Sequence, residues 1–266
     1  MLKNYNEEDF KELTYVACDR LDPGNVPVFL LAAIGYSGVC AGVSLFAVKQ
    51  NIKYSTGNIS NAMINFNRVS LIILAIQIAF AIFYLFPKNN YKFQRLQCIV
   101  LSIVAFKISI EGYQPMYFFW ADRHNPYYQM NIQTLDNMYK SGILIFIGGI
   151  VFLIYCVFRA INRVEKGCLR DDGRGLYDFA KSDKRVNIPI IYVCTMLGGS
   201  IAKSLSNGNT ATSEFWELLF GILIFAFIQY AMALALPEFF LLTYCKLRFK
   251  YFIVSMPKKY RKRVKK

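Results

Sequence analysis

Apolar and polar positions along this 266-residue chain come in blocks, not in single alternating steps. Apolar runs at 26–48, 69–87, 97–116, 141–161, 188–205 and 215–236 are separated by short polar segments. Each run meets the length of about 18 residues that a helix needs to cross a hydrocarbon core roughly 30 Å thick. The pattern predicts an all-α, polytopic transmembrane helical bundle of six spans. The run 188–205 is the weakest span, because it is short, contains Gly198-Gly199 and carries Lys203.

Ahead of the first run, Phe10, Leu13, Ala17 and Leu21 recur at about helical spacing and predict a short amphipathic helix resting at the membrane surface. Asp22-Pro23-Gly24 ends it. Three regions follow: a cytoplasmic N-terminal segment at 1–25, the six-span domain at 26–236, and an interfacial helix with a polybasic tail at 237–266, set off by a bend after Pro237-Glu238. The longest polar stretch, 162–187, is too short to bury a core of its own.

Composition agrees with a membrane class: 55% of residues are hydrophobic and 16% aromatic. The formal net charge of +14 would fit nucleic acid, but the basic residues lie between and after the apolar runs, so anionic lipid headgroups are the expected partner and nucleic acid is not. Their placement also sets an orientation. With the N-terminus in the cytoplasm, 24 Lys and Arg fall in cytoplasmic segments and 5 in outer loops. Both termini are therefore expected inside, in a plasma-type membrane. The tail residues Lys258, Lys259, Arg261, Lys262, Arg263, Lys265 and Lys266 form a candidate lipid-binding patch.

Catalytic chemistry is sparse. Gly35-Tyr36-Ser37-Gly38 resembles the GxSG string of rhomboid-type intramembrane proteases, yet the only histidine, His124, lies in an outer loop and cannot serve a mid-bilayer serine. Gly38 and Gly42 form a GxxxG pair, expected to let helices approach closely. Seven cysteines show no CxxC spacing and are expected as free thiols, with no metal site. Gly173-Arg174-Gly175 is a turn and not a phosphate loop. No cofactor is implied. Asn58-Ile59-Ser60 is a glycosylation acceptor pattern, and Tyr113, Tyr117, Phe118, Phe119, Trp120, Tyr127, Tyr128 and Tyr139 form an aromatic belt around one outer loop.

The informative positions are ionisable groups inside apolar runs, which are costly and face a bundle interior or a wet cavity. Lys107, Glu111 and Gln114 stand at i, i+4 and i+7 and predict one polar stripe on the third span, with the first two paired. Lys203 and Glu217 complete the candidate site, near the outer ends of the fifth and sixth spans. Two functions fit. One is a non-catalytic protein acting through membrane partners, such as a toxin-immunity or export-accessory protein. The other is a transporter or channel-like subunit that uses the stripe for an ion or small polar solute. The lack of a His, Cys or carboxylate constellation argues against an enzyme.

Overall fold

The computed structural model describes residues 5–54, 61–121, 130–171, 175–176 and 211–257. Among these residues the protein is all-helical, with helices α1 (Glu12–Cys18), α2 (Val26–Tyr54), α3 (Asn61–Tyr84), α4 (Pro87–Lys92), α5 (Gln94–Glu111), α6 (Tyr113–Ala121), α7 (Ile132–Glu165) and α8 (Ala211–Arg248). A one-turn 3-10 helix, Glu7–Phe10, precedes α1.

Five stretches are long and apolar enough to cross a membrane: Val26–Lys49, Ile64–Tyr84, Gln94–Tyr117, Ile132–Glu165 and Glu214–Arg248. They coincide with five of the six expected spans, and the expected span 188–205 lies outside the described residues. Most of these helices bury little of their own surface, and large apolar side chains such as Ile72, Ile76, Leu144, Val151 and Phe227 are exposed in number. That is the arrangement of a bundle whose outer solvent is hydrocarbon and not water.

The helices form two packed groups joined through α5. On one side α2 packs against α3 and α5, burying Val26, Leu30, Ala33, Ala81, Tyr84, Val100, Leu101 and Val104 in one cluster. On the other, α5, α7 and α8 meet around Ala105, Leu153, Ala233 and Leu236. Among the described residues α3 and α7 share no packed interface, so a gap separates them across the face of α5 and α6.

One expectation about the ends of the chain needs correction. The N-terminal segment does not lie with its apolar face on the bilayer. Phe10, Leu13, Val16 and Ala17 are buried against Ala160, Val164, Leu169, Leu241, Leu242, Cys245 and Phe252, at the ends of α7 and α8. Arg170 pairs with Asp9 at 2.8 Å, Arg20 with Glu238 at 2.9 Å, and Lys11 with Asp171. Helical spacing predicts an apolar stripe correctly but says nothing of what covers it.

The last helix is continuous through Pro237, and α8 runs on to Arg248. Proline removes one backbone donor and crowds the preceding turn. Here Leu236 and Pro237 are buried, and Leu241, Leu242 and Cys245 pack into the cluster that holds the N-terminal segment. Tertiary packing outweighs the local preference for a break. Gly175 sits at φ +66°, in the left-handed region that favours glycine, with its N–H donating to Cys168 O at 2.9 Å, as the expected turn requires.

Candidate intramembrane polar site

The third span is interrupted by one residue, Gly112, between α5 and α6. Pro115 stands four residues after Glu111 and has no N–H to donate to its carbonyl, which loosens the helix at this point. Gly112 is also a point of close approach. A Cβ there would lie 2.5 Å from both Tyr36 Oη and Phe225 Cδ1, so α2 and α8 press on the interruption from two sides.

Directly at this interruption the predicted stripe carries a charged pair. Lys107 Nζ donates to Glu111 Oε1 at 2.7 Å, to Ser37 Oγ at 2.7 Å and to Gln77 Oε1 at 3.2 Å. Ser37 Oγ in turn donates to Glu111 Oε2 at 2.6 Å, closing a ring of three side chains from α2 and α5. Only 4% of the Glu111 side chain and 15% of the Lys107 side chain are exposed. Three acceptors use all three ammonium donors. Mutual neutralisation is what lets two charges stand this deep.

One helical turn further on, Ser70 Oγ donates to Gln114 Oε1 at 3.0 Å. Asn67, Ser70 and Gln77 share the buried face of α3, so a polar seam runs beside the pair for ten residues, about 15 Å at 1.5 Å per residue. The seam is not saturated: Asn67 Oδ1, Gln77 Nε2 and Gln114 Nε2 are buried and have no hydrogen-bond partner. By contrast Gln229 on α8 is fully engaged, accepting from Tyr113 Oη at 2.8 Å and donating to Phe146 O at 2.9 Å. Gly149 makes room for it; a Cβ there would lie 2.1 Å from Gln229 Cδ.

The gap between α3 and α7 is a crevice of about 650 Å³. Its walls are Phe66, Val69, Ile73, Ile110, Tyr113, Tyr117 and Phe146, and Ser70, Lys107, Glu111 and Gln114 supply its polar groups. Apolar walls with a few convergent polar groups, at a volume between 300 and 1,000 Å³, are the usual form of a small-molecule site between bundle helices.

Of the predicted site residues, Lys107, Glu111 and Gln114 are brought together. Glu217 is not: it is exposed near the start of α8 and does not line the crevice. Lys203, His124 and the seven basic tail residues lie outside the described residues. The GxxxG expectation needs correction too, since a Cβ at Gly35, Gly38 or Gly42 would meet nothing within 4 Å. That face has no close helix partner among the described residues. Instead the residue between these glycines, Ser37, is fully buried and completes the charged ring. Sequence reasoning missed Ser37, Ser70 and Asn67 as parts of the site; the buried polar register of α3 at positions 67, 70 and 77 was the available signal.

Among the described residues no group of three or more His, Cys, Asp or Glu side chains could hold a metal ion. The fold and site define an all-helical protein with five helices able to cross a membrane and a charged pair buried between three of them. No protein-family model, curated protein or solved structure matches the chain.

Proposed function

We propose that this chain is a multi-pass membrane protein that binds a small polar or ionic ligand at Lys107–Glu111, as a transporter or channel-like subunit does. One observation carries the reading. The charged pair, with Ser70 and Gln114, supplies the polar groups of an otherwise apolar crevice, and the Gln114 amide nitrogen is buried with no partner among the described residues. Ionisable groups at such depth are expensive, and a purely structural pair would not leave neighbouring buried amides unpaired. The test is a thermal-shift screen of the purified protein in nanodiscs against alkali cations and zwitterionic amino acids. At least one should stabilise the native protein and leave a Lys107→Met/Glu111→Gln double variant unchanged. A screen in which every stabilising solute acts equally on both, or none acts, removes the reading.

A second reading keeps the partner role: a toxin or export component inserts a membrane helix into the same crevice. The polar groups that line the crevice favour it, because polar groups at depth hold transmembrane helices together. A photo-crosslinking residue at Val69, half exposed at the crevice wall, should then capture a protein of defined mass in native cells.

The same reading takes six spans with both termini cytoplasmic in the cell membrane, and a tail on anionic headgroups, from the basic asymmetry of the loops. Cysteines placed at Asn58, Asn131 and Asn209 in a cysteine-free protein should label from outside intact cells. Labelling of one at Gly175 would reverse the map.

A further inference from the structure

The crevice is not symmetric across the membrane. Phe66 stands five residues after the start of α3 at Asn61 and Tyr117 four before the end of α6 at Ala121, so both lie towards one end of the bundle. From Phe66 to Ile73 the crevice then follows α3 for seven residues, about 10 Å, which takes it towards the middle of a 30 Å core. The crevice lining reaches no further along α3 than Ile73. Beyond Gln77 the α2–α3–α5 junction that holds the charged pair is closed: Ala81 and Tyr84 of α3 pack on Leu30, Ala33, Val100, Leu101 and Val104, and none of these seven side chains is more than 7% exposed. The polar floor thus ends on a packed seal.

The geometry points to one-sided aqueous access: the crevice holds water, and the ligand of the charged pair is a net-neutral hydrophilic solute that arrives with it from the Phe66–Tyr117 end. This rests on the ligand-binding reading of the site and adds the ligand's class and route. Three features select a water-soluble ligand over a lipid. Gln114, which lines the crevice, is more than nine-tenths buried yet carries an amide nitrogen with no partner among the described residues, and an acyl chain offers it nothing. Water does, and about 650 Å³ at roughly 30 Å³ each holds about 20 molecules. The pair itself is neutral overall, so it attracts neither sign of net charge. The spare group on the crevice wall is the amide nitrogen of Gln114, a donor, which suits a solute that offers an acceptor, such as a zwitterion bearing a carboxylate.

Radiolytic hydroxyl labelling of the unmodified protein in lipid nanodiscs, read by mass spectrometry, tests the access route without any substitution. Tyr113 lines the crevice and Tyr84 lies in the seal. Tyr113 should be oxidised at least ten times faster than Tyr84. Equal protection of both means that lipid fills the crevice, and equal oxidation means that there is no seal; either result overturns the proposal. Sidedness is read independently. In a protein whose seven cysteines are replaced, Ser70→Cys should react with a charged, membrane-impermeant thiosulfonate from one face of sealed vesicles only, and Ala81→Cys from neither. Reaction from both faces, or at Ala81→Cys, also overturns it. Failure of the solute screen with Tyr113 still labelled would remove the ligand reading alone.

Discussion

Replacing Glu111 with Gln keeps the size and one acceptor of the side chain and deletes only its charge. Lys107 would then face Ser37 Oγ, Gln77 Oε1 and a neutral amide, with 15% of its side chain exposed. At an effective dielectric constant of about 20, unit charges 2.7 Å apart attract by about 6 kcal/mol before desolvation is counted. Because desolvation opposes most of this, the intact pair stabilises little on balance, whereas a surviving lone charge costs about 3–5 kcal/mol. Glu111→Gln and Lys107→Met should therefore each destabilise strongly. The double variant removes both charges and should recover most of the loss, which requires a coupling larger than either single effect, above about 3–5 kcal/mol. Thermal unfolding of the four proteins in one detergent measures it, with the double variant melting above either single variant. Additive single effects would mean that the two side chains do not interact, and the assignment of this pair as the centre of the site would fall.

Gly112→Ala should cost about 1–3 kcal/mol by overpacking against Tyr36 and Phe225, with part of the loss restored by a second Tyr36→Phe change; wild-type melting of the single variant would show the contact to be slack. Phe10→Ala, at a fully buried position, should cost about 3–5 kcal/mol and expose residues 5–22 to protease in inside-out vesicles, where the native segment resists. A peptide of residues 256–266 should sediment with vesicles containing anionic lipid and leave them as salt shortens the Debye length below about 8 Å; equal binding to neutral vesicles would refute the electrostatic anchor.

The span positions were legible because hydrocarbon imposes one dominant rule, apolar length, and that rule acts locally. The Lys107–Glu111–Gln114 stripe was legible for a related reason: helical periodicity alone puts i, i+4 and i+7 on one face. The ring's other members were not. Ser37 lies 70 residues from Lys107 and Gln77 lies 30 away, and which face of α2 or α3 meets α5 is a property of packing, absent from either segment alone. For Ser37 the flanking glycines were misleading, since small residues favour close packing without requiring it. Glu217 does not line the crevice, because depth along a span does not fix direction around it. The path of α8 through Pro237 was hidden because the packing that offsets a proline comes from the chain's opposite end.

That last contact sets an order in time. The segment around Phe10 is made before α8, but its partners include Leu169, Leu176 and residues between Leu241 and Phe252, and the Arg20–Glu238 pair spans 218 positions of sequence. Until α8 is made, the apolar face of the N-terminal segment has only part of its seat, and contacts closed over so long a loop form late. The native bundle is therefore completed when an early segment meets a late one, and a chain stopped short of Leu241 would leave Phe10 and Leu13 without that seat.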